Sequence, residues 1–233
     1  MNVKSEYDFF LTQLKRHARR AGRFNLGAYL GSDHVVYNVP VPRRRSIALG
    51  WSKNHKAITQ KECIELVDSL IRGKSHEEKG LASMILGRFP KYLTALPEHY
   101  WDRWLGELLG WAEVDAICDE IDVWLRADVA KRMTMVMRWN TDPQIEKRRA
   151  SLVVLCSSVR SDDSKRLRDL SFALIDARNG EKHVMITKAI SWLLRALIKY
   201  HKVEVARYLK KNASTLPRIA VREVTRKLET GRK

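Results

Sequence analysis

What the sequence lacks narrows the field first. No apolar run approaches the roughly 18 residues that a membrane-spanning helix needs, and the stretch Met1 to Phe10 lacks the basic-then-apolar layout of a secretory signal. Cysteine is scarce. Cys63, Cys118 and Cys156 are odd in number, far apart and without a C-x-x-C pair, which argues against a disulfide framework or a zinc knuckle and predicts core thiols. The 7 His residues fall into no H-E-x-x-H or similar ligand spacing, so neither a metal nor another cofactor is expected. Strand-type alternation is almost missing. The one β-prone stretch, V-V-Y-N-V-P-V-P after His34, carries two prolines and reads as an extended connector rather than a sheet member.

Acidic charge is the other shortage: 44 Lys+Arg stand against 27 Asp+Glu, a net +17 over 233 residues. A hydrophobic share of 45% supplies a continuous core for one large domain or a short solenoid. A basic surplus on a compact protein points to a polyanionic partner. Nucleic acid is the first candidate and a membrane surface the second. The expected setting is the cytoplasm of a bacterial cell, nucleoid-associated through DNA binding.

What is present is helical spacing. From Glu6 to Arg20, Thr59 to Arg72, Glu77 to Phe89 and onward to the end, apolar residues recur every three to four positions. Short turns are marked at Gly73-Lys74-Ser75, Pro97, Thr141-Asp142-Pro143, Ser161-Asp162-Asp163, Asn179-Gly180 and Ser214 to Pro217. Asp142 before Pro143 predicts an N-cap with Pro at the first helical position. Later segments starting near Trp111, Pro143 and Glu181 are spaced as one helix-turn-helix unit each, close to the ~40-residue period of HEAT-like arrays. The expected architecture is therefore all-α, one domain over 1–233, of helical repeats forming a curved solenoid with a basic concave face.

Two predicted helices carry unusual faces. Between Lys182 and Tyr200, Ile186, Ile190, Leu193 and Leu197 fall on one side, and Lys188, Trp192, Arg195 and Lys199 gather in a narrow arc opposite. Trp101, Trp104, Trp124 and Trp139 read as core, but a Trp inside a basic stripe suits a surface that presses an aromatic against sugar or base. A surface cation–π pair with Arg195 or Lys188 explains it equally. In the helix opening at Gly110, Val114, Ile117, Ile121 and Trp124 form the buried stripe, with Trp111 and Asp115 one turn apart at its edge. An Asp in a first turn also simply suits the helix dipole. Arg149 shares a face with Ile145, Leu152, Val153 and Cys156, so its guanidinium needs an anion: Asp115, another carboxylate or a phosphate.

These residues, in this order, resemble the HEAT-like-repeat DNA glycosylases of alkylation repair, the AlkD family. The resemblance covers most of the chain: Gly27-Ala28-Tyr29-Leu30, Val39-Pro40-Val41-Pro42-Arg43-Arg44, Trp111-Ala112-Glu113-Val114-Asp115, Arg149-Ala150-Ser151-Leu152, Lys188 to Arg195, and Arg222-Glu223. It implies Asp115 as the catalytic carboxylate, Trp111 and Trp192 as an aromatic pair flanking the lesion's deoxyribose, Arg149 as a backbone-contacting cation and Tyr29 as a supporting contact. Two positions depart from the family pattern. Gly110-Trp111-Ala112 keeps one Trp where Trp-Trp-Asp is frequent, and Glu146 stands where a further Trp is common.

The activity implied is hydrolytic excision of positively charged N3- and N7-alkylated purines from duplex DNA without deep base flipping, by a monomer. Candidate phosphate contacts are Arg43, Arg44, Arg45, Lys188, Arg195, Lys199, Arg222 and Arg226. The cluster Lys15, Arg16, Arg19, Arg20 and Arg23 fits either DNA or plain solvation. The alternative from another class is a non-catalytic helical-repeat protein that binds nucleic acid, RNA included.

Overall fold

The computed structural model describes residues 1–20 and 22–232, and among these every regular element is a helix. The chain divides into two compact units, Met1–Trp124 and Leu125–Lys233.

The first unit holds α1 (Val3–Arg16), α2 (Leu26–Leu30), α3 (Val41–Asn54), α4 (Gln60–Ile71), α5 (His76–Leu86), α6 (Pro90–Leu93), α7 (Glu98–Gly106) and most of α8 (Gly110–Ala127). Capping boxes start α4 and α5: the Thr59 and Ser75 hydroxyls accept the Glu62 and Glu78 amides, and those carboxylates take the cap residues' own amides. Helices α1 and α3 pack on the α4–α5 pair, burying Phe10, Leu14, Leu66, Leu70, Leu81 and Ile85 completely. Trp101, Trp104 and Trp124 fill the core as expected.

The stretch between α2 and α3 is the extended connector that its prolines predict, with one isolated bridge from Val35 to Ser75. Its amides find a side-chain partner. Glu77, at the start of α5, accepts from Tyr37 N at 3.0 Å and Val39 N at 3.2 Å, so the segment satisfies its backbone without a neighbouring strand.

The second unit holds the end of α8, then α9 (Val129–Asn140), α10 (Ile145–Val153), α11 (Leu155–Ser161), α12 (Lys165–Asp176), α13 (Val184–Asn212) and α14 (Arg218–Thr230). Its centre is α13, packed by α10, α11, α12 and α14. It runs on beyond Tyr200, with a kink at His201 (φ −125°, ψ 42°). Ile186, Ile190, Leu193 and Leu197 are fully buried, as their spacing predicts, and so is Trp139. The helix starts of α8, α10 and α13, at 110, 145 and 184, keep the helical-repeat spacing read from the sequence. One boundary is corrected. Helix α10 begins at Ile145, and Asp142 is no N-cap: its Oδ1 accepts from Gln144 N at 2.8 Å, closing an Asx turn around Pro143.

All three cysteines are free and buried, and burial pushes the Cys63 thiol up to about 12. Among the described residues no helix is long and apolar enough to cross a membrane.

Candidate active site

In the first unit the site residues sit where α2 ends against the start of α8. Two glycines make this junction. Gly31 closes α2 at φ 70° and Gly110 opens α8 at φ 71°, both in the left-handed region that glycine adopts without strain. A Cβ on Gly110 would stand 2.3 Å from the carbonyl oxygens of both Leu30 and Gly31. The Gly110 departure from the family pattern thus coincides with a close backbone approach that no side chain would permit.

That approach sets Trp111. Its Nε1 donates to the Tyr29 carbonyl at 2.7 Å, and its ring meets the Tyr29 ring edge-on at 5.4 Å. Tyr29 in turn touches Phe24, ring to ring at 5.4 Å, and both are exposed, 57% and 63% respectively. Trp111 and Asp115 are half-buried one turn apart, beside the fully buried Val114, Ile117 and Ile121. The edge position read from the sequence is the one observed.

Behind this face lies Glu113, buried, with a set of donors that the sequence did not announce. Ser32 Oγ donates to it at 2.7 Å and Leu109 N at 2.8 Å; His34 Nδ1 lies 3.0 Å and His76 Nδ1 3.4 Å from its oxygens. Burial alone would raise its pKa, but the nearby His76 imidazole and the bonds from Leu109, Ser32 and His34 outweigh it and hold the carboxyl at about 2. Hydrogen bonds to a charged group contribute roughly 1.5–3 kcal/mol each, which is what keeps such a carboxylate tolerable inside. The only local signal was an acid in the first turn of a helix; Ser32 and His34 lie about eighty positions away in the chain.

In the second unit, Arg149 is only 5% exposed, and its guanidinium donates to the Met185 carbonyl at the start of α13. It is more deeply buried than its helical face suggests. Trp192 is half-buried, and Lys188 and Lys199 are exposed. Lys199 Nζ donates to the Arg160 carbonyl at 2.7 Å and lies over the Tyr200 ring.

The exposed phosphate-contact candidates are thus Arg43, Arg45, Lys188, Lys199, Arg222 and Arg226. Two others are corrected. Arg195 is 9% exposed, and it bonds Ser191 and pairs with Glu223 at 3.2 Å. The basic arc of α13 therefore breaks there, because α14 packs over it. Arg44 is 8% exposed, with its guanidinium laid over Gly80, where a Cβ would come within 2.5 Å of Nη1. Burial lowers its pKa, and Glu77 partly offsets that. Its neighbours Arg43 and Arg45, each about 100° away around the helix, are exposed.

Among the described residues no group of three or more His, Cys, Asp or Glu side chains is gathered as a metal site. A cavity of about 530 Å³ beside the site is lined by Arg23, Phe24, Asn25, Asp33, His34 and Asn38 among others.

No curated protein matches the chain. A solved structure from Enterococcus faecalis, described as a predicted DNA alkylation repair enzyme, shares 17% identity and superposes with a TM-score of 0.75 over 88% of this chain and 93% of its own. At that identity the likeness shows a common fold, and it supports the all-α, helical-repeat class. The family model of the DNA alkylation repair enzymes matches residues 10–228, and the chain belongs to that family.

Proposed function

We propose that the protein is a monofunctional DNA glycosylase that hydrolyses the N-glycosidic bond of positively charged N3- and N7-alkylated purines in duplex DNA. The observation that carries the reading is the fixed Trp111 and Asp115 pair on one edge of α8, Trp111 tied to the Tyr29 carbonyl at 2.7 Å, in a chain of the alkylation repair family.

The chemistry asks for few groups. An alkylated purine carries its positive charge before the reaction, so as the C1′–N bond breaks the electron pair neutralises the leaving base and no acid is needed. Positive charge passes to the sugar. The Asp115 carboxylate would stabilise that oxocarbenium-like state and orient the water that adds to C1′, with the water's proton passing to the carboxylate or to solvent. The Trp111 face would stabilise the cation and shed water, and the half-buried Trp192 of the second unit would meet the same DNA at the sugar, whereas Arg149, buried on the Met185 carbonyl, would support its own helix rather than touch phosphate. Even modest enzymatic acceleration takes about 8 kcal/mol off the barrier, which one carboxylate and two aromatics reach most readily on a substrate already activated. The lesion would be read through its backbone, without deep flipping into a pocket, by a protein acting as a monomer.

The competing reading, a non-catalytic nucleic-acid-binding member, has to explain a carboxylate kept on a surface meant for phosphates. Incubation with duplex carrying N7-methylguanine and N3-methyladenine, beside Asp115→Asn, separates the two. Base release by the wild type that falls by about 10²–10³ in the variant supports the glycosylase; tight, salt-sensitive duplex binding without release supports the binder.

A further inference from the structure

We propose that Glu113 is a positioning residue for the excision reaction: it clamps the back of α8 so that the front presents Trp111 and Asp115 in fixed register. The proposal rests on the glycosylase reading for its catalytic consequence, though the clamp itself is a statement about this junction alone.

Three chain segments meet on this one carboxylate. Ser32 follows Gly31, the residue that ends α2; Leu109 precedes Gly110, the residue that opens α8; His76 is the first residue of α5. Ser32 Oγ at 2.7 Å and Leu109 N at 2.8 Å therefore bind the two sides of the glycine crossing to a single group. His34 Nδ1 lies between both oxygens, 3.1 Å and 3.0 Å away. Lys79, buried nearby on α5, adds a favourable charge. The crossing that this clamp holds shut is the one across which Trp111 Nε1 reaches the Tyr29 carbonyl.

The helix geometry explains why the clamp would matter to chemistry. At about 100° per residue, Glu113 stands two residues from Trp111 and two from Asp115, roughly 200° around the helix from each. Glu113 is 2% exposed, whereas Trp111 and Asp115 are half-buried. Glu113 thus touches the protein interior where the other two face out, and it acts on the reaction only by fixing their helix. Loosening that fixation would shift a carboxylate and an aromatic face that must meet a developing charge at short range, where a misplacement of about 1 Å costs on the order of a hundredfold in rate.

The test uses full-length Glu113→Gln and Ser32→Ala. The Gln side chain keeps the shape and one acceptor; Ser32→Ala removes one donor to the carboxylate and the acceptor of the His34 amide but leaves the carboxylate itself, so it is the milder variant where the first does not fold. Single-turnover release of N7-methylguanine should fall about tenfold or more in Glu113→Gln and less in Ser32→Ala, while affinity for undamaged duplex stays within about twofold in both. In parallel, protein labelled with 5-fluorotryptophan, with the Trp111 resonance assigned by its loss in Trp111→Phe, should show that resonance shifted or broadened in both variants and the remaining six unmoved. If the wild type releases no base, the glycosylase reading fails while the fluorine spectrum still decides the clamp. An unmoved Trp111 resonance, or a loss of release matched by an equal loss of duplex affinity, would overturn it.

Discussion

The two units use charge in opposite ways. In the first, the site is built on neutral contacts and one internal anion: Trp111 on a backbone carbonyl, Tyr29 and Phe24 exposed beside it, and Glu113 gathering donors from three segments. In the second, cations dominate the helices, yet several are spent inside the unit. Arg195 pairs with Glu223, Arg148 with Glu181 at 2.9 Å, and Arg168 with Glu204 at 3.1 Å. A basic residue near the expected DNA surface is therefore not by itself a DNA contact. The candidates that remain for phosphate are cations whose side chains stay exposed, such as Lys188, Arg222 and Arg226.

The contrast can be broken from either side. The largest effect on stability is expected at the glycine crossing. Gly110→Ala adds a Cβ 2.3 Å from two carbonyl oxygens at φ 71°, so the junction must open; a loss of about 3 kcal/mol or more in chemical denaturation is expected, and an unchanged midpoint would show that the crossing is not tightly held.

Next comes a carboxyl of the first unit that works against the fold. Glu120 lies under Gly87 and accepts from Ser83 Oγ at 2.9 Å, and burial raises its pKa to about 8 despite that bond. A raised folded-state pKa means that the folded state holds the proton more tightly. Its stabilising contribution is complete below the ordinary carboxyl value of 4.5 and is lost as pH rises through 8. Stability should fall across that window by up to about 1.4 kcal/mol per pH unit, and Glu120→Gln should flatten the curve when unfolding is followed at pH 5 and pH 8.5.

In the second unit, Arg195→Ala and Lys188→Ala should separate stability from affinity. The first leaves Glu223, itself partly solvated, without its cation and should cost about 1–2 kcal/mol of stability, with little change in the salt dependence of duplex binding. The second should leave the melting temperature alone and reduce the salt slope by about 1. Reversed outcomes would return Arg195 to the DNA surface.

Much of this was legible in advance. The buried stripes of α8 and α13 follow from spacing alone, since apolar residues three and four apart share a helix face whatever packs against it. The connector after His34 was legible because proline cannot donate to a ladder. Three features were not. Arg44 and Arg195 carry basic side chains that local pattern assigns to solvent, and their burial depends on which helix lies opposite. Asp142 and Pro143 make an acceptable helix start, but the Asx turn competes for the same geometry. Glu113 looks like any first-turn acid until residues 32, 34 and 76 are brought against it by the fold. Helical faces are local information; partners of a buried charge are not.

The most direct test of the central claim compares single-turnover release from two duplexes, one carrying charged N7-methylguanine and one carrying an uncharged lesion such as hypoxanthine, by wild type and Asp115→Asn. The expected result is release of N7-methylguanine alone, by the wild type alone. Comparable release of hypoxanthine, or an Asp115→Asn variant as fast as the wild type, would contradict the assignment of Asp115 to stabilising a sugar cation whose base was already prepared to leave.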